Sequence, residues 1–142
     1  MDYKIKKLDK SDYYIGFLQL LEQLTTVDAD NISHEDFCKR LDDMNSDTFV
    51  IIHNNTVVSS GTIYIEKKFI HHLGAVGHIE DIVVDVKHRK KGLGKMMIDY
   101  LTEYAKNQKC YKVILNCAKK NIGFYEKCGY KQKEVEMVYL HK

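Results

Sequence analysis

The residues best suited to chemistry lie in the stretch VKHRKKGLGK, positions 86 to 95, which contains five lysine or arginine side chains, one histidine and two glycines. The apolar run IVV before it indicates a buried strand, and MMIDYLTEYAK after it indicates an amphipathic helix. The first turn of a helix offers unpaired N–H groups and the positive end of the helix dipole, and glycine lets the backbone approach a ligand closely. The stretch therefore predicts a pyrophosphate-binding loop, and its alternative is a solvated basic turn. The GxxxxGK[ST] and GxGxxG patterns are absent from it, so neither of those nucleotide-binding loops is indicated.

Two further clusters contain groups that could take part in a reaction. In NIGFYEKCG, Asn121 and Tyr125 stand four residues apart and so share one face of a helical turn, where Asn121 could also cap the helix. The alternative for Tyr125 is a core aromatic ring with a solvent-exposed hydroxyl. In GHIEDIVV, Glu80 and Asp81 interrupt an apolar strand, and strand alternation predicts that they point to opposite faces. Burying both carboxylates unpaired would cost several kcal/mol, so we expect this strand to open into a cleft.

Composition narrows the classes of protein that these clusters can serve. A chain of 142 residues suits one domain, residues 1–142, with a hydrophobic core. The net charge of +2 makes the basic cluster local, which argues against a nucleic-acid binder. We expect neither a membrane span nor a secretory signal, because no apolar run is long enough. The histidines and cysteines lack metal-ligand spacing, so we expect no metal, and the four cysteines indicate reduced thiols in a cytoplasmic protein.

The elements that must position these residues follow from hydrophobic periodicity and turn signals. In chain order we predict a strand at Tyr3–Leu8, a helix at Asp12–Leu24, a helix capped by Ser33 and ending near Met44, two strands around an Asn54-Asn55 turn, a strand in VGHIEDIVVD, a long helix from Leu93, a strand in YKVILNC, a short helix closed by Gly129, and a last strand in YKQKEVEMVYL. This order predicts an α/β (α+β) domain. Its central sheet would be mixed, mostly antiparallel and flanked by helices, with one strand–helix–strand crossover.

The basic loop also fits a known family signature. Arg89-Lys90-Lys91-Gly92-Leu93-Gly94 matches Q/R-x-x-G-x-G/A in the strand–loop–helix setting that the GNAT superfamily of N-acetyltransferases uses, and the chain resembles that superfamily. The stretches LTTV, IEKKFIHHLG, GHIEDIVV, CYKVILNC and NIGFYEKCGY resemble, in the same order, the branch that acetylates D-glucosamine 6-phosphate. The resemblance implies the GNAT fold, acetyl-CoA as co-substrate, and a homodimer with shared active sites. It also implies a product that feeds UDP-N-acetylglucosamine biosynthesis.

The same resemblance implies roles for individual residues. The loop formed by Arg89, Lys90, Lys91, Gly92, Leu93 and Gly94, with Lys95, would hold the cofactor pyrophosphate. The backbone of Val83 and Val84 would pair with the pantetheine arm, and Asn121 would contact that arm. Tyr125 would protonate or stabilise the leaving thiolate. Glu80 and Asp81 would bind the sugar and orient its amine. Apart from the resemblance, we expect substrate contacts from Thr26, Lys68 and His71, of which Lys68 and His71 follow the strand that precedes GHIED and so can reach the same cleft.

The chain departs from the family pattern at two positions. Asn116 stands where the family has an acidic residue close to the reacting amine, so either its backbone carbonyl suffices or another base is needed. An arginine expected near the C-terminus for the sugar phosphate is missing, and Leu140, His141 and Lys142 stand there instead. The sequence leaves the general base open among Glu80, Asp81 and a bound water.

The residues favour direct acetyl transfer, since no Ser–His–Asp set is visible and holding two substrates together can supply several kcal/mol. A backbone N–H at the strand end would polarise the carbonyl. One rival function is acetylation of a polyamine or of a protein N-terminus or lysine, but the cationic IEKKFIHH segment favours an anionic acceptor. A non-catalytic CoA-binding module is the other rival, and Tyr125 beside an intact loop argues against it.

Overall fold

The central sheet is mixed and mostly antiparallel, as predicted. The computed structural model describes residues 2–141, and the sheet consists of β1 (Lys4–Lys7), β2 (Asp47–His53), β3 (Thr56–Lys67), β4 (Ala75–Val84) and β5 (Cys110–Ile114). The strands lie in the order β1-β2-β3-β4-β5. The first three pairs are antiparallel, and β4 and β5 are parallel. The helices are α1 (Phe17–Leu21), α2 (His34–Asp43), the single turn α3 (Ile70–Leu73), α4 (Leu93–Asn107) and α5 (Ile122–Lys127). Helix α4 forms the crossover from β4 to β5.

Helices cover both faces of the sheet, because its strands are apolar on both sides. Helix α4 buries Met97, Ile98 and Leu101 against one face, which includes Ile51 and Ile63. Helices α1 and α2 bury apolar residues on the other face, namely Phe17, Leu18, Leu20 and Phe37 against Val50, Val57 and Val83. The long strand β4 is thereby held from both sides at the point where its acidic residues stand.

Several local predictions are confirmed. Asn54 and Asn55 have φ values of 49° and 57°, the left-handed pair that a tight hairpin turn between β2 and β3 requires. Ser33 caps α2: its Oγ accepts a hydrogen bond from the Asp36 N–H at 3.0 Å, and the Asp36 carboxylate accepts one from the Ser33 N–H at 3.3 Å. Gly129, with φ of 93°, follows α5 as the expected C-terminal glycine.

The continuous helix predicted for Asp12–Leu24 is wrong. The chain forms a 3₁₀ segment at Lys10–Ile15, breaks at Gly16 and then forms α1. Gly16 has φ of 94°, a left-handed conformation that ends one helical segment before the next begins. Asp12 stabilises the first segment, because its buried carboxylate accepts hydrogen bonds from Lys6 at 2.6 Å and from the Asp9 N–H at 2.8 Å.

The last predicted strand is also wrong for the single chain. The residues after Gly129, up to 141, form no helix or strand. Five apolar side chains in this segment are between 74% and 89% exposed, namely Val135, Met137, Val138, Tyr139 and Leu140. The alternating pattern favours a strand, but a strand forms only beside a hydrogen-bonding neighbour, and none lies there among residues 2–141. Lys142 lies outside the described residues. In the described part of the chain, no helix has the length and apolar character needed to cross a membrane.

Candidate functional site

The basic loop leads from the end of β4 into α4, and its two glycines serve different purposes. Gly92 is the N-cap of α4 and has φ of 80°, with open space where a Cβ would lie, so its requirement is conformational. At Gly94 a Cβ would lie 3.1 Å from Phe124 Cζ, so glycine there lets the first turn of α4 pack closely against α5. The Arg89 Nε donates a hydrogen bond to the Val84 carbonyl at 3.2 Å, which fixes the arginine against the end of β4.

A cleft of about 450 Å³ runs along this loop, and we call it the loop cleft. Its walls are Ile82, Val84, Arg89, Lys90, Gly92, Leu93, Gly94, Lys95, Asn121, Phe124 and Tyr125. Most residues predicted to bind a pyrophosphate ligand thus line one cavity. Lys91 is an exposed loop residue that does not line it. Val83, whose backbone was predicted to pair with the pantetheine arm, does not line it either, and its side chain packs on the opposite, α1/α2 face of the sheet.

A second cleft of about 420 Å³ opens where β4 and β5 separate, and we call it the acidic cleft. The parallel pairing ends at His78 and Ile114, whereas β4 continues to Val84. The acidic cleft is lined by Leu24, Thr25, Ile79, Glu80, Asp81, Ile82, Leu115, Asn116, Cys117, Asn121 and Tyr125. The two strands therefore diverge next to Glu80 and Asp81.

The prediction that Glu80 and Asp81 point to opposite faces of β4 fails because the strand contains a bulge. Thr62 pairs with Glu80 and Ser60 pairs with Val83, so β4 has one extra residue between these pairs, and Asp81 has φ of 54°. Both acidic residues are exposed and both line the acidic cleft, as the expectation of a strand opening into a cleft required.

The two clefts meet at three residues, Ile82, Asn121 and Tyr125. Tyr125 is half-buried, with its ring edge-on to Phe124 at 4.9 Å. Burial, followed by the nearby Cys117 and Cys128, raises the pKa of the Tyr125 hydroxyl, so it remains a proton donor at neutral pH. Asn121 occupies the N-cap position of α5, but its side chain does not make the predicted capping hydrogen bond. The junction thus brings a phosphate-type loop, a protonated hydroxyl and two carboxylates to one place.

Comparison with known proteins shows the family to which this chain belongs. The sequence profile described as the acetyltransferase (GNAT) family matches residues 7–130. The chain belongs to the acetyltransferase (GNAT) family. It is 42% identical over 142 residues to the glucosamine 6-phosphate N-acetyltransferase of Arabidopsis thaliana, covering 95% of this chain and 94% of the relative. It is 44% identical to the Candida albicans enzyme of the same name, covering 96% and 94%. The crystal structure of the Arabidopsis thaliana enzyme superimposes with a TM-score of 0.95 at 38% identity over the whole of both chains.

These comparisons confirm the GNAT fold and the resemblance to the glucosamine 6-phosphate branch of the family. A solved GNAT-fold neighbour from Clostridium acetobutylicum, 21% identical with a TM-score of 0.70, is described with acetyl-CoA. Among residues 2–141, no group of three or more His, Cys, Asp or Glu side chains is arranged to hold a metal ion.

Asn116, where the resemblance implied an acidic residue, lies in the acidic cleft next to an acidic residue that no sequence pattern indicated. Its Nδ2 donates a weak hydrogen bond to Glu136 Oε2 at 3.4 Å. Glu136 stands 20 residues later in the exposed C-terminal segment, so no local pattern links the two. The Asn116 amide therefore has a carboxylate next to it, although Glu136 itself does not line the acidic cleft.

Thr26, predicted to bind substrate, lies one residue from the acidic cleft. It lines a neighbouring shallow cavity with Glu22, Thr25, Val27 and Asp28. Thr25 lines both that cavity and the acidic cleft, so it is the threonine of LTTV that directly borders the site. Side-chain periodicity gave no means of choosing between the two, because the segment belongs to a loop.

Lys68 and His71 lie at the other end of β4, so the expectation that they reach the acidic cleft of their own chain is wrong. Lys68 follows β3 and pairs with Glu66 at 3.4 Å, and the His71 ring stacks on Tyr111 at 4.0 Å. The start of β4 at Ala75 is five strand residues from Glu80, which is about 16 Å at about 3.3 Å per residue. The antiparallel connection places these two side chains at the closed end of the β3–β4 hairpin, away from the point where β4 and β5 diverge.

Proposed function

We propose that this chain transfers the acetyl group of acetyl-CoA directly to the amino group of D-glucosamine 6-phosphate, giving N-acetyl-D-glucosamine 6-phosphate. The observation that carries the proposal is the meeting of the loop cleft and the acidic cleft at Tyr125 and Asn121. One cleft suits a pyrophosphate and the other suits an amine, and the tyrosine hydroxyl stands where the two substrates would meet. The names of the relatives supply the acceptor.

The loop cleft fits acetyl-CoA by its backbone conformation as much as by its charge. The left-handed Gly92 at the N-cap exposes the first N–H groups of α4, and Arg89, Lys90 and Lys95 line the same cavity. Val84 lines the cavity next to the loop, at the end of β4, where its backbone would pair with the pantetheine arm. Acetyl-CoA supplies an activated acetyl group as a thioester. The contribution of the chain is to hold and orient it.

The acidic cleft would receive the amine of the acceptor. Glu80 and Asp81 are exposed carboxylates on the bulge of β4, so they can orient an ammonium group and accept its proton, directly or through a bound water. The amine must lose that proton before it can attack. A backbone N–H near the bulge would polarise the carbonyl that is attacked.

Tyr125 would act on the leaving sulfur. Its raised pKa keeps the hydroxyl protonated, so it can donate a hydrogen bond or a proton to a developing thiolate. Since Tyr125 lines both clefts, it is the titratable side chain best placed to contact the bond that breaks.

We propose further that the active enzyme is a homodimer with shared active sites. The C-terminal segment exposes Met137 and Tyr139 to 89% and 83%, which favours a second copy as its cover. The α3 turn is strained, with left-handed φ values of 52° at His71 and 57° at His72, and the adjacent Phe69 is 91% exposed. If a partner chain packs on this turn, Lys68 and His71 would lie beside the acidic cleft of the other subunit, where they would bind its sugar phosphate. The free cysteines fit a cytoplasmic enzyme, and the product would enter UDP-N-acetylglucosamine biosynthesis.

The test is thiol release from acetyl-CoA in the presence of glucosamine 6-phosphate, glucosamine, spermidine or an N-terminal peptide. Contacts to the phosphate are worth about 1.5–3 kcal/mol each, so unphosphorylated glucosamine should have a kcat/KM that is lower by orders of magnitude. Lys68→Ala should narrow the difference between the two sugars. Lys39→Ala, which removes a similar surface ion pair to Glu35 at 3.1 Å on α2, should leave it unchanged. Equal rates with both sugars, or a preference for spermidine or peptide, would refute this acceptor and leave the acetyltransferase fold standing.

A further inference from the structure

One side chain bridges the two loops that border the two clefts. The Gln23 Nε2 donates a hydrogen bond to Asp85 Oδ1 at 3.1 Å, and the Gln23 Oε1 accepts one from the Val86 N–H at 3.0 Å. We call this two-point contact the Gln23 clip. It joins Gln23 to Asp85 and Val86, which stand 62 and 63 positions later in the chain, so neither loop would be held in this way by its own sequence.

Each end of the Gln23 clip is next to one cleft. Leu24 and Thr25, which follow Gln23 directly, line the acidic cleft. Asp85 lies in the chain between Val84 and Arg89, and Val84 and Arg89 both line the loop cleft. The clip therefore connects the wall of the proposed acceptor site to the segment that leads into the phosphate-binding loop.

Asp85 is built as a fixed anchor for this contact. Its backbone N–H donates to the Val58 carbonyl at 2.8 Å, and its carboxylate also accepts hydrogen bonds from the Lys87 N–H at 3.3 Å and from His88 Nδ1 at 3.2 Å. Burial alone would raise the pKa of the Asp85 carboxyl, but the hydrogen bonds from Gln23, Lys87 and His88 hold that pKa below its ordinary value. The anchor is thus an ionised acceptor at neutral pH.

The Gln23 end is also set by the backbone. The N–H of Gln23 donates to the Leu20 carbonyl at 3.0 Å, and the N–H of Leu24 donates to the Leu21 carbonyl at 2.9 Å, so the residue continues the last turn of α1. The clip therefore ends on a residue whose backbone belongs to the end of α1 and leads directly into the 24–28 loop.

We propose that Gln23 is a positioning residue that couples binding of the two substrates. Asp85 is already held in the free chain, so CoA would act on the segment that follows it. Contacts with residues 89–94 would restrict the motion left in residues 86–94, and the clip at the Val86 N–H would pass this restriction to Leu24 and Thr25 beside the acceptor. This inference rests on the proposed function, because it takes CoA and glucosamine 6-phosphate as the two ligands. Coupling between sites is reciprocal, so each ligand should tighten the other by the same factor, about tenfold for two hydrogen bonds.

The test uses CoA and glucosamine 6-phosphate, a pair that binds together but cannot react. Calorimetry gives the Kd of CoA with and without saturating sugar phosphate, and the ratio of the two is the coupling factor. Gln23→Met keeps the length of the side chain and removes both hydrogen bonds, so the coupling factor should fall from about ten towards one. The melting temperature should change little.

Asn31→Leu is the matched control. Asn31 lies further along the same connection between α1 and α2, and its amide donates two hydrogen bonds to the Asp28 carboxylate at 2.9 and 2.8 Å. Losing them removes an equivalent pair of contacts that does not reach residues 85–89. The coupling factor of this variant should equal that of the natural chain.

A reversed clip separates positioning from packing. In Gln23→Glu the new carboxylate faces Asp85, and coupling should be lost. Adding Asp85→Asn removes the opposing charge and gives an amide that can donate to Glu at position 23, whose other oxygen can accept from the Val86 N–H. Because Asp85 Oδ1 also accepts from the Lys87 N–H, that contact is lost, and the double variant should recover part of the coupling.

Three results would overturn the inference: a wild-type coupling factor of one, an unchanged factor in Gln23→Met, or a double variant no better than Gln23→Glu. A structural role alone would weaken both ligands while leaving the factor intact, which also counts against coupling. Acetylation of glucosamine 6-phosphate by the wild-type chain is measured in parallel. If that acetylation occurs without coupling, only the clip fails, whereas its absence refutes the proposed function itself.

Discussion

Replacing Gly92 with valine tests whether the phosphate loop binds through its backbone. Gly92 has φ of 80°, and no atom lies within 4 Å of the place where a Cβ would stand, so a side chain meets no obstacle and the penalty is conformational. A left-handed L-residue costs roughly 1–2 kcal/mol, and a β-branched residue more. The strain can be relieved by rotating the peptide groups on either side of residue 92, which are the groups that begin α4. Affinity for CoA should therefore fall by about tenfold or more, since about 1.4 kcal/mol corresponds to a factor of ten.

Lys90→Ala provides the comparison for the charge of the loop. Lys90 is exposed and already has a left-handed φ of 65°, so alanine removes a cation with little change in the backbone preference. An exposed ionic contact is worth about 0.2–1 kcal/mol, which limits the loss to about fivefold. Raising the salt concentration should reduce the Lys90 effect and leave the Gly92 effect in place.

Gly16→Val is the matched control for strain. Gly16 has φ of 94°, also has open space at its Cβ position, and lies before α1 outside both clefts. This variant should lose a similar amount of folding stability and keep its affinity for CoA. Calorimetric titration of the three variants with CoA decides the matter. Equal losses from Gly92→Val and Lys90→Ala would replace the backbone cradle with simple charge attraction.

Three other predictions concern the reaction, the pH dependence of stability and the assembly. Tyr125→Phe keeps the ring and should lower kcat by about 10²–10⁴-fold with CoA affinity almost unchanged, and unchanged turnover under chemistry-limited conditions would assign Tyr125 to packing alone. Burial raises the pKa of Asp47, but hydrogen bonds from Tyr104 at 2.6 Å and Lys7 at 2.9 Å outweigh burial and lower the pKa of the folded state. The stability that this carboxylate adds above about pH 4 should therefore be lost as pH falls. Urea unfolding of Asp47→Asn at several pH values should show a flatter acid limb, and an acid limb as steep as that of the natural chain would contradict this account. Light scattering should find a wild-type dimer and a Met137→Glu monomer, whereas a micromolar wild-type monomer would contradict the proposed assembly.

The features that depend on neighbouring residues were predictable from the sequence. The Ser33 capping box, the Asn54-Asn55 turn and the glycine at 129 each need only a few adjacent residues, and all three are present in the structure. The buried stripe of α4, which includes Met97, Leu101 and Ala105, follows from its helical periodicity. The phosphate-type loop belongs to the same class, because its glycines and cations are contiguous.

The shape of the candidate site required the tertiary structure. The bulge at Asp81 depends on how β4 pairs with β3, and with this bulge Glu80 and Asp81 line one cleft, which simple alternation did not predict. The separation of β4 from β5 beyond His78 creates the acidic cleft, and it arises from the register of two strands joined by α4. The contact of Asn116 with Glu136 spans 20 positions of the chain, and the contact of Gln23 with Asp85 spans 62. No pattern in a single sequence indicates contacts between residues so far apart.

The two ends of β4 show most clearly what the amino-acid sequence decides and what the tertiary structure decides. The sequence determined that carboxylates, a tyrosine, a phosphate-type loop and a cationic segment are all present, because side-chain chemistry is written residue by residue. The tertiary structure alone decided that the first three meet and that Lys68 and His71 lie about 16 Å along the strand from them. The same holds for the C-terminal segment, whose apolar pattern favours a strand. Pairing is a property of two strands, so the sequence of one segment specifies the tendency to pair and the three-dimensional arrangement specifies the partner.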